Sequence, residues 1–119
     1  MELTNEGISF DPSIQVGCMI ETAAASLIAD MLAKEADFFS IGTNDLTQYT
    51  MSVDRGNAKV AYLYSAFQPA VLRSIKNIIA AANEAGIPVG MCGEAAADPL
   101  MIPLLISFGL DEYRNLGAV

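Results

Sequence analysis

The chain has 119 residues, 53% of them hydrophobic, and a formal net charge of −8 from 6 Lys and Arg against 14 Asp and Glu. That length suits one compact domain or a piece of a larger one, and scattered cations on an acidic chain argue against a nucleic acid or an anionic membrane as partner. The longest apolar run, residues 99–110, is too short for a membrane span and is interrupted by Pro103, and no export signal opens the chain.

In chain order, residues 14–20 form a short apolar, partly β-branched run that predicts a buried strand. Cys18 shares a face of it with Val16 and Ile20 and is assigned no chemistry. Residues 23–35 carry Ala24, Leu27, Ile28, Met31 and Leu32 at helical spacing, which predicts one helix. Residues 38–42 predict a second strand, followed by a polar loop. Residues 69–85 predict a helix with Val71, Leu72, Ile75, Ile78, Ile79 and Ala82 as its apolar stripe, Pro69 in the first turn and Gly86 at the stop. Residues 87–91 predict a third strand. Asp98-Pro99 then reads as an N-cap followed by Pro at the first helical position, opening a helix to Gly109, with Pro103 marking a later start or a kink.

Three strand-then-helix units in succession predict an α/β fold with a parallel sheet. An open doubly wound sheet and a closed (β/α)₈ barrel share this local pattern. A whole barrel needs about 200 residues or more, so on the barrel reading the chain is roughly half of one.

The two cysteines are widely spaced and the chain holds no histidine, which excludes a structural zinc set and predicts reduced thiols in the cytoplasm. Glu21, Asn44 with Asp45, and Cys92 each fall at or just past the C-terminal end of a predicted strand, the edge where parallel α/β folds bind ligands. Glu21 and Asp45 are hard oxygen donors of the kind Mg²⁺ takes; the alternatives are a helix N-cap for Glu21 and an Asx-turn for Asp45. In the stretch from Gly42 to Tyr49, Asn44 can both donate and accept hydrogen bonds. Arg55, presented by the turn Asp54-Arg55-Gly56-Asn57, can grip a phosphate or simply pair with Asp54. Cys92 stands between two glycines, where a thiol can donate a proton, act as a nucleophile or lie inert. Glu94 bonds to the site or caps the next turn.

Met19-Ile20-Glu21, the run from Asp37 to Tyr49, Asp54-Arg55-Gly56-Asn57 and Gly90-Met91-Cys92-Gly93-Glu94 resemble successive signature stretches of enzyme I of the bacterial sugar phosphotransferase system. The resemblance covers residues 14–112 and implies the C-terminal part, about half, of that family's (β/α)₈ barrel. The wider family includes phosphoenolpyruvate synthase and pyruvate phosphate dikinase. The resemblance implies that Glu21 and Asp45 bind Mg²⁺, that Asn44 and the backbone around Asp45 contact phosphoenolpyruvate, and that Arg55 grips its phosphate. It implies further that Cys92 protonates the methylene carbon as pyruvate forms.

Two departures qualify the resemblance. The family passes its phosphoryl group to a histidine on a separate N-terminal domain and then to a histidine phosphocarrier protein, and this chain has no histidine. Arg114-Asn115-Leu116 replaces a Ser-Met-Ser stretch, so residues 113–119 leave the family pattern. The reading is therefore of an incomplete catalytic unit, with two alternatives: a non-catalytic fragment or interaction module that keeps the fold, and a fragment of phosphoenolpyruvate synthase or pyruvate phosphate dikinase. An open half-barrel exposes apolar surface, which predicts self-association or a missing complementary segment.

Overall fold

A computed structural model describes residues 13–54, 56–59, 61–110 and 112–113. Strand β1 spans Gly17–Ile20, shorter than the expected 14–20. The reason lies in Asp37, whose carboxylate accepts the Val16 N–H at 2.7 Å while its own N–H donates to the Val16 carbonyl at 2.8 Å. Both backbone polar groups of Val16 are therefore tied to Asp37, and Ile14 and Val16 stay exposed.

The single helix expected over 23–35 is two short ones, α1 (Ala23–Leu27) and α2 (Ala29–Ala33), meeting at Ile28 with φ −109° and ψ 21°. Thr22 caps the first by accepting the Ala25 N–H at 3.1 Å. The expected stripe is also corrected: Leu27 is 82% exposed and Met31 61%, with Ala24 and Ile28 exposed too. The buried face runs through Ala29 and Ala33, with Ala25, Leu32 and Ala36 packed beside them. These positions also recur at helical spacing. They face the core because small side chains let these helices lie close to the next long helix, an approach tied by a hydrogen bond between the Ser26 and Ser74 hydroxyls.

Strand β2 (Phe38–Gly42) falls where expected. The loop expected after it is instead a nine-residue helix, α3 (Thr43–Met51), with Thr43, Leu46 and Thr47 buried along one side. Ser52, in the left-handed region at φ 55°, ends it. A 3₁₀ turn at Ala61–Leu63 leads to α4 (Pro69–Ala85), which begins on Pro69 and stops at Gly86 with φ 75°. Of its expected stripe, Val71, Ile75, Ile78, Ile79 and Ala82 are fully buried, and Leu72 packs at the margin. Burying each of those Val and Ile side chains contributes about 1.5–3 kcal/mol before the entropy cost of ordering the chain is subtracted.

Strand β3 (Val89–Cys92) follows, then a 3₁₀ turn at Glu94–Ala97 and α5 (Met101–Ser107). The Asp98 carboxylate accepts the Leu100 N–H at 2.9 Å, so the expected cap exists but organises a turn, and the helix starts three residues later. Pro103 sits in the first turn of α5, where its missing N–H costs nothing. Two residues, Glu112–Tyr113, form β4 beside β3. Arg114 to Leu116 lie outside the described residues. No helix among the described residues is long and apolar enough to cross a membrane.

The sheet order is β1-β2-β3-β4 and every pair is parallel. Ile20, Phe39, Ile41, Val89 and Met91 point into the core under the helices. On the opposite face Met19 is 51% exposed and Phe38 37%. A doubly wound sheet would reverse its strand order and carry helices on both faces. Among the described residues this sheet does neither, so it is a segment of a (β/α)₈ barrel, and they leave uncovered the face that closes a barrel's interior.

Candidate functional site at the carboxyl edge of the sheet

Strand register assembles the site. Ile20 pairs with Ile41, which places Glu21 level with Gly42, and Gly42 in turn pairs with Cys92. Helix α3 starts immediately after Gly42, so Asn44 and Asp45 occupy its first turn, where the helix macrodipole favours an anion. Thr43, buried at the junction, donates its hydroxyl to the Cys92 carbonyl at 3.0 Å and ties the start of α3 to the end of β3.

The Glu21 and Asp45 carboxyls lie close enough to interact. The hydrogen bond that protonated Glu21 donates to Asp45, then burial, then the repulsion of the Asp45 charge raise Glu21 above the usual glutamate value of 4.5. Gly42 makes the meeting possible: a Cβ there would lie 2.9 Å from Glu21 Cγ and 3.2 Å from Oε2, so any side chain would push Glu21 out of place.

That pair has a measurable signature. Because folding raises Glu21, the folded state holds its proton more tightly than the unfolded chain does. The stability this contributes is fully present below pH 4.5 and is lost as the pH rises through the raised folded value. Urea unfolding of the metal-free protein over this window is expected to show that loss in the wild type and its absence in Glu21→Gln. Identical pH slopes in the two proteins would mean the carboxyls do not interact.

Cys92 is a half-buried free thiol. Its Sγ donates to the Ile41 carbonyl at 3.6 Å and accepts from the Ser40 hydroxyl at 3.8 Å. Ser40 and Cys92 line a cleft of about 350 Å³ on the uncovered sheet face, together with Phe38, Pro88 and Gly90. Asn44 lines a second cleft of about 260 Å³ with Thr43, Thr47, Tyr64, Phe67 and Asp98. The Tyr64 hydroxyl donates to Asn44, to its carbonyl oxygen at 3.2 Å and to its side-chain Oδ1 at 3.4 Å. Gly93 lets these parts close up, since at φ 109° a Cβ on it would collide with the Thr43 hydroxyl and come within 3.2 Å of Asn44 Oδ1.

The structure thus brings Glu21 against Asp45 and sets Asn44 and Cys92 on neighbouring strand and helix ends joined through Thr43 and Gly93. Arg55, expected on a phosphate, lies outside the described residues, and so does the side chain of Glu94. Sequence reasoning passed over Ser40, Thr43 and Tyr64. Ser40 carried a signal, standing two residues before Gly42 and so on the same face of the strand; Tyr64 carried none, because its partner is 20 residues away.

Two adjoining carboxyls suit a divalent cation that prefers hard oxygen. Among the described residues no group of three or more His, Cys, Asp or Glu converges, so a pocket built wholly from such ligands is not present there. Mg²⁺ fits that limited donor set, since it typically takes one or two carboxylates and completes its shell with water and substrate oxygens.

A singly wound parallel sheet with an acid pair and a thiol at its carboxyl edge defines a barrel segment with a candidate ligand site where such barrels carry theirs. Solved structures agree on the fold. An HpcH/HpaI aldolase/citrate lyase family protein from Burkholderia cenocepacia superposes with a TM-score of 0.67 at 17% identity, over 88% of this chain and 37% of that one. An HpcH/HpaI aldolase from Desulfitobacterium hafniense gives 0.63 at 18%, over 88% and 38%. The chain belongs to the family described as PEP-utilising enzyme, PEP-binding domain, whose model matches residues 1–115. Relatives named phosphoenolpyruvate-protein phosphotransferase are 55% identical in Enterococcus faecalis, over 94% of this chain and 20% of that protein, and 56% identical in Streptococcus equinus, over 93% and 19%. The chain spans about one fifth of the length of these relatives.

Proposed function

We propose that this chain supplies one side of the phosphoenolpyruvate site of a phosphotransferase. The whole enzyme would take the phosphoryl group from phosphoenolpyruvate with Mg²⁺, pass it to a histidine on a separate domain and then to a histidine phosphocarrier protein of a sugar transport system, and release pyruvate. The observation that carries the reading is the meeting of Glu21 and Asp45 at the carboxyl edge of the sheet, within a chain whose relatives bear that name.

Each residue has a part that its chemistry allows. Glu21 and Asp45 would hold the Mg²⁺, whose contribution when bound is to neutralise charge on the phosphate being transferred. Asn44 would donate to the substrate, and Arg55 would grip the phosphate. As the phosphoryl group leaves, the bond between phosphorus and the enol oxygen breaks and the enolate of pyruvate remains. Cys92 would give its S–H proton to the methylene carbon, fixing pyruvate as its keto form, while the Ser40 hydroxyl holds the sulfur left behind. With no histidine in its 119 residues, the chain cannot itself accept the phosphoryl group in this scheme.

Both cysteines are free, which supports action in the cytoplasm. The uncovered sheet face supports self-association, and light scattering is expected to give a mass above that of one chain; a monomer at all concentrations would remove that part of the reading. Calorimetry tests the core of the proposal. Phosphoenolpyruvate is expected to bind in the presence of Mg²⁺ and to release no heat of binding without it. Failure to bind even when the remaining barrel strands are supplied would overturn the assignment.

A further inference from the structure

We infer that Tyr64 is a positioning residue that sets the Asn44 amide for the ligand; the use made of that amide rests on the function proposed above, while the positioning itself does not. An Asn side chain presents a donor end and an acceptor end of nearly the same shape, and a half-turn about its last torsion exchanges them. An anionic substrate is served only by the donor end.

The Tyr64 hydroxyl is placed to fix this choice. It reaches the Asn44 carbonyl oxygen at 3.2 Å and Oδ1 at 3.4 Å, so one phenolic proton is shared between the main chain and the side chain of the same residue. That bridge pins the amide against its own helix turn with Oδ1 toward the phenol and the Nδ2 end turned the other way. Gly93 backs the same oxygen, since a Cβ there would lie 3.2 Å from Oδ1. Tyr64 is itself held by the 3₁₀ turn at Ala61–Leu63, its N–H donating to the Ala61 carbonyl at 3.0 Å. Ordering the amide in advance removes a rotamer cost from binding.

Tyr64→Phe deletes the hydroxyl and keeps the ring. In ligand-free protein, the Asn44 side-chain amide signals in a ¹⁵N-correlated spectrum are expected to shift. Unmoved signals would overturn the inference whether or not any ligand binds. With phosphoenolpyruvate and Mg²⁺, Tyr64→Phe is expected to weaken binding about 3- to 10-fold, the range for one lost hydrogen bond. In an Asn44→Ala background the same change is expected to have no further effect. An equal loss in that background would show that Tyr64 acts on the ligand or on the fold, and would overturn the positioning role. Wild-type protein that binds no phosphoenolpyruvate, with the amide signals still shifted by Tyr64→Phe, would uphold the positioning and remove the proposed function.

Discussion

Asp45→Ala is expected to weaken Mg²⁺-dependent phosphoenolpyruvate binding by on the order of 100-fold or more, since even residues that only orient a metal's ligands typically cost 10- to 100-fold when replaced. Asp45 is in the first turn of α3, and its carboxyl lies against that of Glu21. With both carboxyls ionised and no cation present, their charges repel, the last of the three causes that raise Glu21. Above the raised Glu21 value, removing Asp45 should therefore leave folding stability unchanged or slightly higher while it removes binding. That opposite movement separates a ligand from a structural residue. An Asp45→Ala protein that binds normally, or that loses stability in step with affinity, would show that Asp45 holds the fold and not the metal.

The second large effect is on proton transfer. In the enzyme assembled with the rest of its barrel, Cys92→Ala is expected to slow deuterium uptake from heavy water into the pyruvate methyl group by about 100-fold or more, the usual contribution of a positioned general acid. Phosphoenolpyruvate affinity should remain largely intact, because the thiol is not among the groups proposed to hold the phosphate. The local geometry suits the task. The S–H is directed at the Ile41 carbonyl while the Ser40 hydroxyl points at the sulfur, so both states of the sulfur have a partner. Unchanged isotope uptake in Cys92→Ala would transfer the acid role to another group.

Much of this site was legible because it depends on strand ends. The periodicity that marks 38–42 and 69–85 is strong, and once parallel strands are placed, Glu21 and Cys92 follow to the same edge. The pattern pointed to a parallel α/β sheet but left barrel and doubly wound sheet open, and the strand order and the uncovered face separate them. Helix α3 was read as a loop because its buried side is built from Thr43, Leu46 and Thr47, two of which are polar and poor helix formers. Its stability comes from packing, which a single chain pattern does not reveal. The α1 and α2 pair misled in the opposite way. Leu27, Ile28 and Met31 form the more conspicuous apolar stripe, but the alanines beside them fit the close approach to α4, and packing geometry outweighed hydrophobicity. The hydrogen bond from Tyr64 to Asn44 depends on how residues 52–68 fold back, and no local rule predicts it.

The absence of any residue between the end of β2 at Gly42 and the start of α3 at Thr43 restricts how this segment can change. A single inserted residue at the start of α3 would turn the following helix by about 100° and advance it by about 1.5 Å. Leu46 would leave the core and Asp45 would leave Glu21 in the same step, so folding and ligand binding would fail together. Length variation is therefore intolerable between β2 and α3, and in the connection after α3 it must spare the reach of Tyr64 to Asn44. An insertion scan across residues 42–47 is expected to lose folding and ligand binding at the same positions.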